Sequence, residues 1–369
     1  MCFSEKVNRK RAVAASLALA IAGAGILVLA LDQGHVSGES AARVPSTEAK
    51  EADRPTRHPA PASARTELAD GAVAAAPGLF ARAGWGARPN QLGRHRPQEG
   101  NPEAPMSLAF DSRGNTVVLD QVNGRLARYG KDGTPLGTLP VAVQAAQDVA
   151  FASDGTAAEL DRLVDRTVAL VGPDGALRGQ LPVLGRGVAE GGGVTGLFVD
   201  GRDVYLEREH GALVRIGDTA GNADAERPEI PGRPTRDGLS FITAGLADAS
   251  AGRLYVASIV RATREHRFTR ELGLGVAVRG LVLLDTDRAG VIYLGVLGDF
   301  AGGDPAVPPA AVLLLCLHPE DGHPLGNATL PANTSADETF RELAVLDEGG
   351  VLYALRSEDG VELRRYDCR

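Results

Sequence analysis

The chain of 369 residues holds 39 Lys and Arg against 47 Asp and Glu, a formal net charge of −8, with 44% hydrophobic and only 4% aromatic residues. The charge is unevenly divided, since residues 1–96 carry 13 basic against 8 acidic side chains and residues 97–369 carry 26 against 39. An acidic globular part excludes nucleic-acid binding, which needs a basic footprint, and it repels anionic membrane surfaces.

In chain order, a basic stub at residues 1–11 ends in Arg9-Lys10-Arg11 and is followed by an uncharged apolar run at 12–31. That run is long enough to cross a bilayer, so it predicts a transmembrane signal anchor or a long signal peptide, with the stub held in the cytoplasm. Residues 32–76 are rich in Ala, Pro, Ser, Glu and Arg without an apolar period, which predicts a disordered linker. Its average span is on the order of 40 Å. The globular part is expected at 77–369, in the periplasm or outside the cell. Of the two cysteines expected there, Cys316 and Cys368, the reading favours two buried free thiols, although an oxidising compartment permits a disulfide.

The globular part repeats. Leu108-Ala109-Phe110, Gly114, Leu119-Asp120 and Arg125 recur 41 positions later as Val149-Ala150-Phe151, Gly155, Leu160-Asp161 and Arg166. Asp132-Gly133 and Leu139-Pro140-Val141 then return as Asp174-Gly175 and Leu181-Pro182-Val183, and the first of these turns echoes again at Asp321-Gly322. A period of about 40–45 residues with several short strands per unit marks a β-propeller. The predicted fold is all-β, a six-bladed propeller of four-stranded antiparallel blades.

The first unit reads as strands at 107–111, 116–120, 125–129 and 135–141, and the second copies it over 148–183. The third runs from 195 through 204–207 and 213–216. The fourth starts near Leu239 and has 253–260 as its second strand. The fifth holds 280–285, 291–297, 312–317 and 324–330. The sixth holds 343–346, 351–355 and 362–366, and is one strand short. An open ring would leave an unpaired edge, so the strand-like segment around Leu79 to Trp85 is expected to complete the last blade. Trp85 is read as packing.

Pro105, Leu108 to Asp111, Gly114-Asn115, Val117 to Asp120 and Asn123 to Arg125 together resemble the NHL-repeat propellers. Phe80 to Leu92 is similar to that family's lead-in to a blade. The resemblance is good in the first two units, fair in the sixth and weak between them. It implies a six-bladed ring used by scaffolds, extracytoplasmic sensors and a few enzymes, the latter with inward His, Glu, Asp or Tyr groups and a divalent metal near the axis.

The residues themselves offer little such chemistry. His210, His266, His318 and His323 read as falling on different units without a His-x-His pair, and a metal site needs three or four converging ligands. They are taken as surface or turn histidines. Asp285-Thr286-Asp287 is read as a solvated turn, and Arg261, Arg264, His266, Arg267 and Arg270 as a solvated strand face. No nucleophile elbow, P-loop or zinc signature is present, so no metal or cofactor is expected.

Strand direction reverses at every step of a blade, so the b-to-c turns and the d-to-a crossovers share one face. The long connections 184–193, 232–238, 298–310 and 332–339 are placed there, and long loops on a rigid scaffold are where binding resides. The candidate binding residues are therefore Arg186, Glu190, Arg236, Asp237, Asp299, Phe300, Asp304 and Glu338. The functional expectation is a membrane-tethered module that binds a protein partner or small ligand. Its alternatives are a metal-dependent lyase or lactone hydrolase with an axial site, and a structural part of an envelope assembly.

Overall fold

The computed structural model describes residues 64–67, 78–300, 310–333 and 335–368. The expected membrane span at 12–31 and most of the expected linker lie outside them. Among the described residues no helix is long and apolar enough to cross a membrane.

Six sheets form the six blades of a propeller. Blade 1 comprises Ser107–Phe110, Thr116–Asp120, Arg125–Tyr129 and Pro135–Pro140, strands a to d from the axis outward. Blade 2 repeats this with Asp148–Phe151, Ala157–Asp161, Thr167–Val171 and Leu177–Pro182. Blade 3 holds Val194–Asp200, Asp203–Arg208, Leu213–Asp218 and the short Glu229–Ile230. Blade 5 holds Val278–Thr286, Ile292–Gly298, Ala311–Leu317 and Pro324–Pro331. Each is antiparallel throughout.

Blade 6 contains only Leu343–Val345, Val351–Arg356 and Gly360–Tyr366 from the C-terminal end of the chain. Its fourth strand is Gly78–Trp85, antiparallel to Gly360–Tyr366, so the ring closes by pairing its two ends, as expected. Gln91–Leu92 adds a short parallel fifth strand outside it. The closure also touches blade 1. Gly133 has φ +83° in that blade's c–d turn, and a Cβ there would lie 2.0 Å from the Phe80 carbonyl oxygen. Trp85 is packing, as read: it joins the apolar seam of blades 6 and 1, and its Nε1 donates to the Ser357 carbonyl at 3.0 Å.

Blade 4 departs from the expected register. Its first strand is the two-residue Arg233–Pro234, its second Ser240–Asp248, its third Arg253–Val260 and its fourth His266–Gly273. Arg253–Val260 is thus the third strand, where the sequence pattern had made it the second. A proline in a two-residue strand carries almost no periodic signal, so the longer following strand takes its place in the pattern. Ala64–Glu67, inside the segment expected to be a disordered linker, forms a strand parallel to the outer edge of this blade. It covers an edge that would otherwise stay open.

The repeat motif's polar residues hold turns. The Asp111 carboxylate accepts from the backbone N–H of Arg113 and of Asn115, each at 2.9 Å. The Asp120 carboxylate accepts from Gly93 N–H at 2.8 Å, Asn123 Nδ2 at 2.8 Å and Arg125 Nε at 2.8 Å. Buried apolar side chains fill the seams between blades 1 and 2, 2 and 3, 4 and 5, 5 and 6, and 6 and 1. All seven residues of Ala311–Leu317 are buried, as a strand flanked by blades on both faces requires.

Cys316 and Cys368 form a disulfide with Cα atoms 6.0 Å apart, which overturns the reading of two free thiols. It ties blade 5 to the residue pair that follows the last strand of blade 6. Pairing depends on which strands become neighbours, and a separation of 52 residues conceals that in sequence.

Candidate functional site

At the end where the a strands begin, the axis is occupied by paired charges. Asp148, fully buried, accepts from Ser107 Oγ at 2.5 Å and from Leu197 N–H at 2.9 Å, and pairs with Arg341 at 2.7 Å. Arg341 also donates to the Leu197 carbonyl at 3.0 Å. Nearby, Glu207 pairs with Arg233 at 2.7 Å, and Arg233 donates to the Leu284 carbonyl of the adjacent blade 5. Both guanidinium groups lie over the Phe198 ring, Arg233 at 4.8 Å and Arg341 at 5.2 Å from its centroid. Burial alone would raise the Glu207 carboxyl, but Arg233 and the neighbouring His210 hold it down at about 2. Both carboxylates are neutralised by fixed cations and so are committed to structure.

Glu159 is the contrasting acid. It is buried near the seam of blades 1 and 2, accepts one bond from Ala142 N–H at 2.6 Å, and its other oxygen has no partner among the described residues. Burial outweighs that single hydrogen bond and pushes its carboxyl up to about 7.

Of the sequence-derived candidates, five sit on the b–c and d–a face. Arg186 pairs with Glu226 at 3.2 Å, both exposed. Glu190 precedes the short 3-10 turn Gly191–Gly193. Asp299 pairs with Arg279 at 2.7 Å, Phe300 packs on the core of blades 4 and 5, and Glu338 N–H donates to the Pro102 carbonyl at 2.8 Å. Asp304 lies outside the described residues. Arg236 and Asp237 do not join this group. Because Arg233–Pro234 is the first strand of blade 4, residues 235–239 form its a–b turn and emerge on the opposite face.

There Arg236 pairs with Asp285 at 2.5 Å and with Asp347 at 3.1 Å, and donates to the Val345 carbonyl at 3.0 Å, bridging blades 5 and 6. Asp285 is therefore a partner in an ion pair, while Asp287 is buried and accepts from Ala289 N–H and Val291 N–H. Next to this network a cavity of about 340 Å³ opens between the a–b turns of blades 1, 5 and 6. Ser112, Arg113, Gly114, Lys131, Arg288, Asp347 and Glu348 line it. Arg288 is engaged by Asp347 at 2.8 Å, whereas Arg113 and Lys131 form no ion pair among the described residues.

Each face carries both paired and unpaired cations among the described residues. On the long-loop face Arg94 and Arg96 pair with Asp337 and Glu358 and Arg279 pairs with Asp299, while Arg166, exposed in the b–c turn of blade 2, forms no ion pair among the described residues. On the turn face two cations at the rim of a cavity remain uncommitted. Sequence reasoning missed this cavity because its lining comes from short turns of three blades, and loop length had pointed to the other face. It also placed His318 and His323 on different units, whereas both lie in the c–d turn of blade 5 with ring centroids 4.7 Å apart. The basic run is not a free solvated face either. Arg261 pairs with Asp200 at 2.5 Å, Arg264 stacks on Phe241 at 4.6 Å, and Arg270 donates to the Asp321 carbonyl at 3.0 Å.

No family model matches the chain, and no curated protein matches it. Solved structures do. Hydrazine synthase from Kuenenia stuttgartiensis is similar at 13% identity over 71% of this chain and 78% of that one, with a TM-score of 0.45. A streptogramin B lyase structure is similar at 11% identity over 75% and 97%, with a TM-score of 0.38. BamB from Moraxella catarrhalis is similar at 16% identity over 72% and 86%, with a TM-score of 0.35. The six-bladed propeller itself is seen directly in the sheet order of this chain, and likenesses this distant say nothing about its activity.

Proposed function

We propose that this chain is a membrane-tethered, extracytoplasmic β-propeller that acts as a binding module, and that it takes an acidic partner or ligand on the face of the a–b and c–d turns. One observation carries the reading: the axial carboxylates Asp148 and Glu207 are locked by Arg341 and Arg233, while Arg113 and Lys131 stand unpaired at a cavity rim. Fixed ion pairs suit a scaffold, and uncommitted cations on a rigid turn face suit recognition of carboxylates or phosphates. The disulfide supports an oxidising compartment, and the apolar run at 12–31 supports a tether. The NHL-repeat kinship is supported by the Asp111 and Asp120 turn networks, which give the motif residues a structural role.

The test is charge reversal of Arg113→Glu together with Lys131→Glu in the full-length protein, set against replacement of residues 299–310 by a two-residue turn. Partner recovery after crosslinking in intact cells should fall at least tenfold in the first variant and persist in the second. Loss only in the second would move the binding face to the long loops. Turnover of lactones or esters by the unmodified protein would favour the enzyme instead.

A further inference from the structure

The c–d turn of blade 5 brings His318, Asp321 and His323 together so that one ligand atom from each lies within 4.8 Å of the others. Asp321 Oδ1 is 2.6 Å from His323 Nδ1, a hydrogen bond that an ion would replace, and 3.5 Å from His318 Nδ1, which accepts from Glu320 N–H at 3.3 Å. Two imidazoles and one carboxylate, all partly exposed, are a donor set that late first-row divalent metals favour, and solvent can fill the remaining positions. We propose that this turn is a binding site for such an ion, with zinc as the reference case, held by His318 Nδ1, His323 Nδ1 and Asp321 Oδ1.

Three features of the surroundings fix the ligands before any ion arrives. The turn is closed by Gly322 N–H donating to the His318 carbonyl and His318 N–H donating to the His323 carbonyl, both at 2.9 Å. Gly322 has φ +68° and lies on the Phe268 ring, where a Cβ would come within 2.5 Å, so no other residue seats the turn this low. Arg270 donates to the Asp321 carbonyl at 3.0 Å and approaches the second carboxylate oxygen, Oδ2, at 3.8 Å, which leaves Oδ1 facing the imidazoles. The ordering of these groups is thus done by the fold, which lowers the entropic penalty of gathering three ligands. The turn also adjoins the turn that carries Arg288, since Gly290 packs against Pro319. An ion here would sit on the turn face but outside the cavity lining.

The experiment is calorimetric titration of the full-length protein with zinc chloride at neutral pH, repeated with H318A/H323A and with Asp321→Asn. The wild type should take up one tight equivalent. The double variant should lose it, with affinity down on the order of 100-fold or more, and Asp321→Asn should weaken it on the order of tenfold. Equal thermal unfolding of all three proteins without metal would show that the fold is intact. An unchanged tight equivalent in the double variant, or no zinc uptake by the wild type, would overturn the proposal.

Discussion

The seam between blades 5 and 6 and the seam between blades 3 and 4 solve the same problem by opposite means. The first is an apolar cluster of fully buried side chains, Tyr293, Leu314, Leu343 and Tyr353 among them, with Cys316–Cys368 bonded across it. The second has no such cluster among the described residues. Ion pairs span it instead, Arg233 with Glu207 and Arg261 with Asp200, and Arg233 stacks on Phe198. Ser240 and Ser258, buried in blade 4, have side-chain oxygens without a hydrogen-bond partner among the described residues. Burial of apolar surface is indifferent to pH, whereas a seam made of carboxylate–guanidinium pairs depends on the ionisation of its acids. A closed ring needs every seam, so its weakest one under acid sets where it opens.

The largest expected effect follows from breaking the polar seam on one side. Arg233→Met leaves Glu207, 2% exposed in its side chain, without its main cation, which should destabilise the protein by about 3–5 kcal/mol in chemical denaturation. Adding Glu207→Leu should recover most of that, because removing both charges together eliminates the stranded one. A single variant of near wild-type stability would show that the seam rests on something else.

Next comes the staple of the apolar seam. Replacing Cys316 and Cys368 by Ala, or reducing the wild type, should lower stability by about 2–4 kcal/mol through the freed 52-residue loop. The denaturation midpoint with and without reductant measures this, and it should not change with pH in the way the polar seam does.

The smallest effect is the most specific in sign. Glu159 has a folded-state carboxyl raised to about 7, above its unfolded value of 4.5, so the unfolded chain gives up its proton first. Its contribution is intact below about pH 4.5 and lost as pH rises through 7, at most roughly 3 kcal/mol by the linkage relation. Glu159→Gln should therefore flatten the decline in stability between pH 5 and pH 8 shown by the wild type. Parallel pH profiles for the two proteins would contradict that assignment.

Blades 1 and 2 were legible in sequence nearly residue by residue, because one repeats the other at a spacing of 41 residues and their turns carry Asp and Gly at fixed offsets. Closure by the strand around Leu79 to Trp85 was legible from a missing partner. Blade 4 was not, since a first strand of only Arg233 and Pro234 leaves no period to find, and that slip carried Arg236 and Asp237 to the wrong face. The axial network was hidden for a different reason. Arg233 and Arg341 sit at or just before the first strands of their blades, where an arginine in sequence looks like any surface arginine. Only the ring's geometry brings them to Glu207 and Asp148. The histidine pair was within reach of the predicted strands, since 312–317 and 324–330 already leave His318 and His323 in one turn of the fifth unit, whereas the disulfide was hidden by its reliance on which blades become neighbours.

Glu207 supplies the most direct test of the difference between the two seams. Its carboxyl lies at about 2 in the folded protein, below its unfolded value of 4.5, so its contribution is present above about pH 4.5 and drains away as pH falls towards 2. Brief hydrogen–deuterium labelling after incubation at pH 7 and at pH 3 would resolve the seams by peptide. Residues 203–208 and 233–241 should lose protection at pH 3 while 292–298 and 351–356 keep theirs. Simultaneous loss across all four segments, or earlier loss at the seam of blades 5 and 6, would contradict the account.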